Sequence, residues 1–125
     1  TMQDQPTVAE LLEAVTAFVR DEAMPLLKDH AAFNARIAAN VLEIVRRELA
    51  RGPAAAAAEQ ARLERLLGES GDLESLNRRL CERIASGDVG LDTPGLTDHL
   101  WQTVIDKVSI DQPGYATYKR LRDAG

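Results

Sequence analysis

Cysteine occurs once, at Cys81, histidine only twice, at His30 and His99, and aromatic side chains make up 4% of the 125 residues. Each scarcity removes a class of protein. A single thiol permits no internal disulfide, so the chain fits a reducing compartment and a cytoplasmic location is expected. Neither histidine has a His, Cys, Asp or Glu three or four residues away, the spacing a zinc site on one helix needs. Both read as solvent-facing or helix-capping, and no metal or cofactor is expected. There is no run of roughly 20 apolar residues to cross a bilayer and no basic-then-apolar leader, so no membrane association is expected. Cations are outnumbered, with 15 Lys and Arg against 20 Asp and Glu and a net charge of -5. Nucleic acid, whose phosphates would repel such a chain, is a poor partner. No stretch alternates with a period of two, and no internal repeat is evident.

What is present is aliphatic and helix-forming. Apolar residues are 45% of the chain and charged residues 28%, a globular balance, with Ala, Leu, Glu and Arg dominant. The expectation is one all-α domain over residues 1–125, a compact bundle of about five mostly antiparallel helices. Residues 1–6 read as an N-terminal arm, with Thr1 an addition before Met2, and residues 115–125 as a short C-terminal extension. Thr7 followed by Glu10 is a capping box at the start of the stripe Val8, Leu11, Leu12, Val15, Phe18 and Val19. Pro25 allows a kink or a stop, of which a stop is preferred, with Asp29 capping the next helix. That second helix, about residues 30–51, lines up Phe33, Ile37, Val41, Ile44 and Val45. Gly52 and Pro53 predict a tight turn into a third helix over 54–67, anchored by Leu63, Leu66 and Leu67. Asp72 caps a fourth helix, with Leu73, Leu76, Leu80, Cys81 and Ile84 on one face and Gly87 at its end. There a thiol serves as core packing. Thr93 and Pro94 open a fifth, whose inner stripe is Leu96, Leu100, Val104 and Val108.

Motifs with chemistry fail on inspection. Gly68-Glu69-Ser70-Gly71-Asp72 lacks the final glycine and the preceding strand of a nucleophile elbow and reads as a turn plus a cap. Gly87-Asp88-Val89-Gly90-Leu91-Asp92 matches neither a phosphate loop nor a calcium loop. No catalytic residue is assigned, and the chain reads as a non-enzyme.

Polar residues inside apolar stripes carry the remaining site hypothesis. Glu48 falls at the centre of the second helix's apolar face, with Asn40 at its edge. Asn77 lies in the stripe of the fourth helix, and Lys107 lies toward the apolar side of the fifth. One reading is a buried network in which Glu48 pairs with a cation, because an unpaired buried charge costs about 3 to 5 kcal/mol. The other is a ligand pocket lined by Asn40, Glu48, Asn77 and Lys107. In the tail, Tyr115, Tyr118, Lys119, Arg120 and Arg122 mix aromatic and basic groups, as protein interfaces do. A terminal helix docked on its own domain, or frayed, is the alternative.

Four strings together resemble a bacterial family of unknown function. They are Met2-Gln3-Asp4-Gln5-Pro6, Ala38-Ala39-Asn40-Val41-Leu42-Glu43-Ile44-Val45-Arg46-Arg47-Glu48, Gly71-Asp72-Leu73-Glu74-Ser75-Leu76-Asn77, and Lys107-Val108-Ser109-Ile110-Asp111-Gln112-Pro113-Gly114-Tyr115. The resemblance implies small proteins encoded beside, or fused to, aminoglycoside-phosphotransferase-like proteins, often near acyl-CoA dehydrogenases. It implies an accessory role and brings no catalytic residues with it. The leading expectation is therefore a non-enzymatic interaction module for a phosphotransferase-like partner or an acyl-CoA dehydrogenase. The alternatives are a small-ligand-binding domain, or an enzyme, using the polar residues above, and a self-associating helical protein whose alanine-rich segment 54–58 permits close approach.

Overall fold

A computed structural model describes Met2 and residues 4–125; Thr1 and Gln3, part of the expected N-terminal arm, lie outside the described residues. The structure is all-α, with five α-helices and no strand among the described residues. These are α1 (Val8–Ala17), α2 (Asp29–Leu67), α3 (Leu73–Ala85), α4 (Leu96–Asp111) and α5 (Ala116–Ala124).

The predicted capping box closes α1: Glu10 N–H donates to Thr7 Oγ1 at 3.1 Å, and Thr7 N–H donates to Glu10 Oε1 at 3.2 Å. Past α1 the backbone widens into a π-helical stretch, Phe18–Ala23, then tightens into a 3-10 turn, Met24–Leu26. Pro25 is the reason, because it has no N–H to give and its ring crowds the carbonyl four residues back. The helical path stops just beyond it, at Leu27, where the backbone is extended. Asp29 opens α2 with a left-handed φ of 53°.

The predicted turn at Gly52-Pro53 is not there. Instead α2 runs unbroken for 39 residues with Pro53 inside it. Strong helix formers flank the pair on both sides, Glu48 to Arg51 before it and Ala54 to Ala58 after it. With residues of high propensity on either side, the helix carries through local costs of roughly 1 kcal/mol for the glycine and 3 for the proline. The pair still marks a boundary, since the chain divides into two compact units at Arg51 and Gly52.

In the first unit, residues 1–51, the fully buried positions are small, namely Thr16 on α1 and Ala39 on α2. Thr16 is satisfied by donating to the Leu12 carbonyl at 2.7 Å. Arg46 joins the helices, bonding Glu43 at 3.1 Å and standing 4.0 Å from Glu13. The bulky stripes face outward instead: Val15, Phe18, Phe33, Ile37 and Val41 are 44 to 55% exposed. Amphipathic spacing located the stripes correctly but assigned them to the interior.

In the second unit, residues 52–125, one apolar core joins Leu63 and Leu67 of α2, Leu76 and Leu80 of α3, Val89 of the loop and Leu96 of α4. Each such fully buried leucine contributes roughly 1.5–3 kcal/mol. Asp72 caps α3 as expected, accepting from Ser75 N–H at 2.8 Å. That bond holds its carboxyl below the usual carboxylate range. Arg83 covers the end of α2, donating to the Leu67 carbonyl at 3.0 Å and to Glu69 at 2.7 Å, while Arg79 also pairs with Glu69. Cys81 is exposed, a correction to its expected core position. It sits about 100° around the helix from Leu80, outside the arc that meets the core. Helix α4, predicted from sequence as the fifth, starts at Leu96, later than Thr93 and Pro94 imply. Thr93 Oγ1 accepts from Gly90 N–H at 2.9 Å, holding the loop, and Gly95 takes the cap position at φ 89°. The tail is helical as α5, with Arg122 stacked 5.9 Å over the Tyr118 ring.

Candidate functional site

The second unit contains a cavity of about 580 Å³ between the C-terminal half of α2 and the start of α4. From α2 come Arg62, Arg65 and Leu66, and from the other wall Thr93, Pro94, Gly95, Asp98, His99 and Gln102. Its organising residue is His99, read from sequence as solvent-facing or capping but in fact 2% exposed. The ring accepts at Nδ1 from Arg62 Nε at 3.0 Å, which places its proton on Nε2. Arg62 also donates through Nη2 to Thr103 Oγ1 at 3.1 Å, and Thr103 Oγ1 donates to the His99 carbonyl at 2.9 Å. Burial, then the charge of Arg62, lowers the imidazole pKa below its ordinary 6.5, against a weaker upward pull from Glu59. His99 is therefore neutral at physiological pH.

Positive potential gathers on this wall. Neither Arg62 nor Arg65 has a carboxylate within ion-pair distance among the described residues. Helix α4 begins at a glycine, which has no side chain to cap the first amides, so its N-terminal N–H groups add partial positive charge beside the two guanidiniums. Asp98, on the same rim, is exposed and is the one carboxylate lining the cavity. Among the described residues no three His, Cys, Asp or Glu side chains gather as metal ligands.

The residues singled out by sequence lie elsewhere. Asn40 is exposed in the first unit, where its Oδ1 accepts from Arg20 Nη2 at 3.4 Å. Glu48 is exposed in that unit and Lys107 is exposed on α4. Neither is desolvated, so the expected burial of Glu48 against a cation does not hold: the helix face it shares with Ile37 and Val41 is turned outward. Asn77 is half-buried and satisfied, donating to Glu59 and to the Leu73 carbonyl at 3.1 Å each. Tyr115, Lys119, Arg120 and Arg122 are exposed on or beside α5, and Tyr118 is half-buried. Sequence reasoning missed Arg62, His99 and Thr103. A signal existed: 96, 99 and 103 fall on one helical face, so Leu96 draws two polar residues inward with it.

Fold and cavity together define an all-α chain with a cationic, partly polar recess. By sequence the chain belongs to the family described as a domain of unknown function, DUF6285, whose model matches residues 25–115. No curated protein and no solved structure matches it.

Proposed function

We propose that the chain is a non-enzymatic binding module that captures a small anionic ligand in the cavity between α2 and α4. The observation that carries this is the pair Arg62 and Arg65, two guanidiniums without carboxylate partners lining a recess of ligand size. A non-enzymatic role is supported by how the polar groups are spent: Nδ1 of His99 is held by Arg62 and the Thr103 hydroxyl by the His99 carbonyl, leaving no nucleophile bonded to a base. No helix of the described residues is long and apolar enough to cross a membrane.

Thermal unfolding in the presence of a panel of small phosphates, carboxylates and sulfates tests the proposal. At a ligand concentration 100 times Kd the native state gains about 2.7 kcal/mol, so at least one anion raises Tm by several degrees. A flat response to every anion overturns the proposal.

A second reading, an accessory module for an aminoglycoside-phosphotransferase-like protein or an acyl-CoA dehydrogenase, draws support from the first unit. Its exposed Leu11, Val15, Phe18, Phe33, Ile37 and Val41 are the bulky apolar surface by which proteins recognise one another.

A further inference from the structure

We infer that the ligand is a phosphate monoester on an uncharged, hydroxyl-rich body, of the sugar-phosphate class, with its phosphate held by Arg62, Arg65, His99 and the first amides of α4. This rests on the cavity being an anion site, and it follows from the number and direction of the donors that the protein leaves unspent.

With its proton on Nε2, His99 has a donor for which the described residues supply no acceptor. Among the described residues no fully buried side-chain nitrogen or oxygen lacks a partner, so Nε2 keeps some access to solvent, on a ring that lines the cavity. Arg62 spends Nε and Nη2 on His99 and Thr103 and keeps Nη1 unbonded, and Arg65 keeps its whole guanidinium. At the start of α4, Leu96 N–H bonds the Thr93 carbonyl and His99 N–H bonds the Gly95 carbonyl, which leaves the N–H groups of Thr97 and Asp98 without acceptors. These donors come from two different helices. A carboxylate offers two oxygens in one plane, whereas a phosphate monoester offers three strong acceptors at tetrahedral directions, able to meet side chains on one wall and a helix N-terminus on the other.

The rest of the recess describes the body of the ligand. At about 580 Å³ the cavity is much larger than a phosphate ion. Besides the cations, the cavity wall carries Asp98 and Gln102, a carboxylate and an amide suited to ligand hydroxyls, and the apolar Leu66 and Pro94. Asp98 would repel a second anionic group there, which disfavours polyphosphates and dicarboxylates and favours a neutral polyol.

Isothermal titration of the full chain with glucose 6-phosphate, inorganic phosphate, glucose and gluconate, at one pH and ionic strength, decides the matter. The expected order is glucose 6-phosphate tightest, inorganic phosphate weaker, and glucose without measurable heat. Arg65→Ala, an exposed position, weakens glucose 6-phosphate by about tenfold or more, the loss of one charge-assisted contact. Asp98→Asn, also exposed, tightens inorganic phosphate by removing a repulsion. Circular dichroism of both variants checks that the fold is kept. Gluconate binding as tightly as glucose 6-phosphate overturns the phosphate assignment and leaves the anion site standing. No heat from any of the four at millimolar concentration overturns both. Unchanged affinity in Arg65→Ala overturns the placement of the ligand.

Discussion

His99 is the residue on which the second unit's chemistry turns. It is buried and neutral, and its pKa is lowered first by burial and then by Arg62. In the unfolded chain it titrates near 6.5. Between that value and its lower folded pKa the unfolded state binds more protons, so stability is complete above about pH 6.5 and falls as pH drops through the window below it. The unfolding midpoint in urea should therefore decline from pH 7 to pH 5. In His99→Gln, which retains a neutral acceptor for Arg62, that slope should flatten even if the absolute midpoint is lower. An equal slope in both proteins would place the proton uptake on another group. The Leu96, His99, Thr103 face was legible only in part, because polar residues at inward positions look like solvent-facing ones until a partner is known. Arg62, the partner, is 37 residues away in sequence.

At the level of elements, three local signals with a local cause were read correctly. The Thr7 capping box, the Asp72 cap and the stop after Pro25 each depend on atoms within a few residues and appear where spacing places them. Gly52-Pro53 shows where such reading ends, since the same dipeptide is a turn in isolation and an interior blemish in a helix of 39 residues. Pro53 leaves the Leu49 carbonyl without its helical donor. Pro53→Ala should stabilise the protein by about 2–3 kcal/mol, read as a higher urea midpoint at unchanged m-value. A lower midpoint would show that the proline, by restricting the unfolded chain, contributes more than the missing hydrogen bond costs. The stripes of α1 and α2 failed in another way: periodicity identifies an apolar face, but whether a small or a bulky face makes the seam depends on how closely two backbones approach.

At the scale of the whole molecule, the two units differ in how they use apolar side chains. The second gathers leucines into a core around Leu63 and Leu76, and the first buries Thr16 and Ala39 while Phe18 and Phe33 stay half exposed. An accessory role therefore makes a separate demand from ligand capture. If the first unit is a docking surface, a tagged chain should recover a kinase-like protein or an acyl-CoA dehydrogenase in stoichiometric amount from a lysate of its own cells, and Phe33→Asp should abolish that recovery without altering anion binding. Recovery unaffected by the substitution would move the interface elsewhere. Such counting is made simple by Cys81, the chain's one thiol, which stands exposed on a helix anchored by Leu76 and Leu80. A maleimide dye attaches there once per chain, so the bleaching steps of a single labelled particle give its copy number directly.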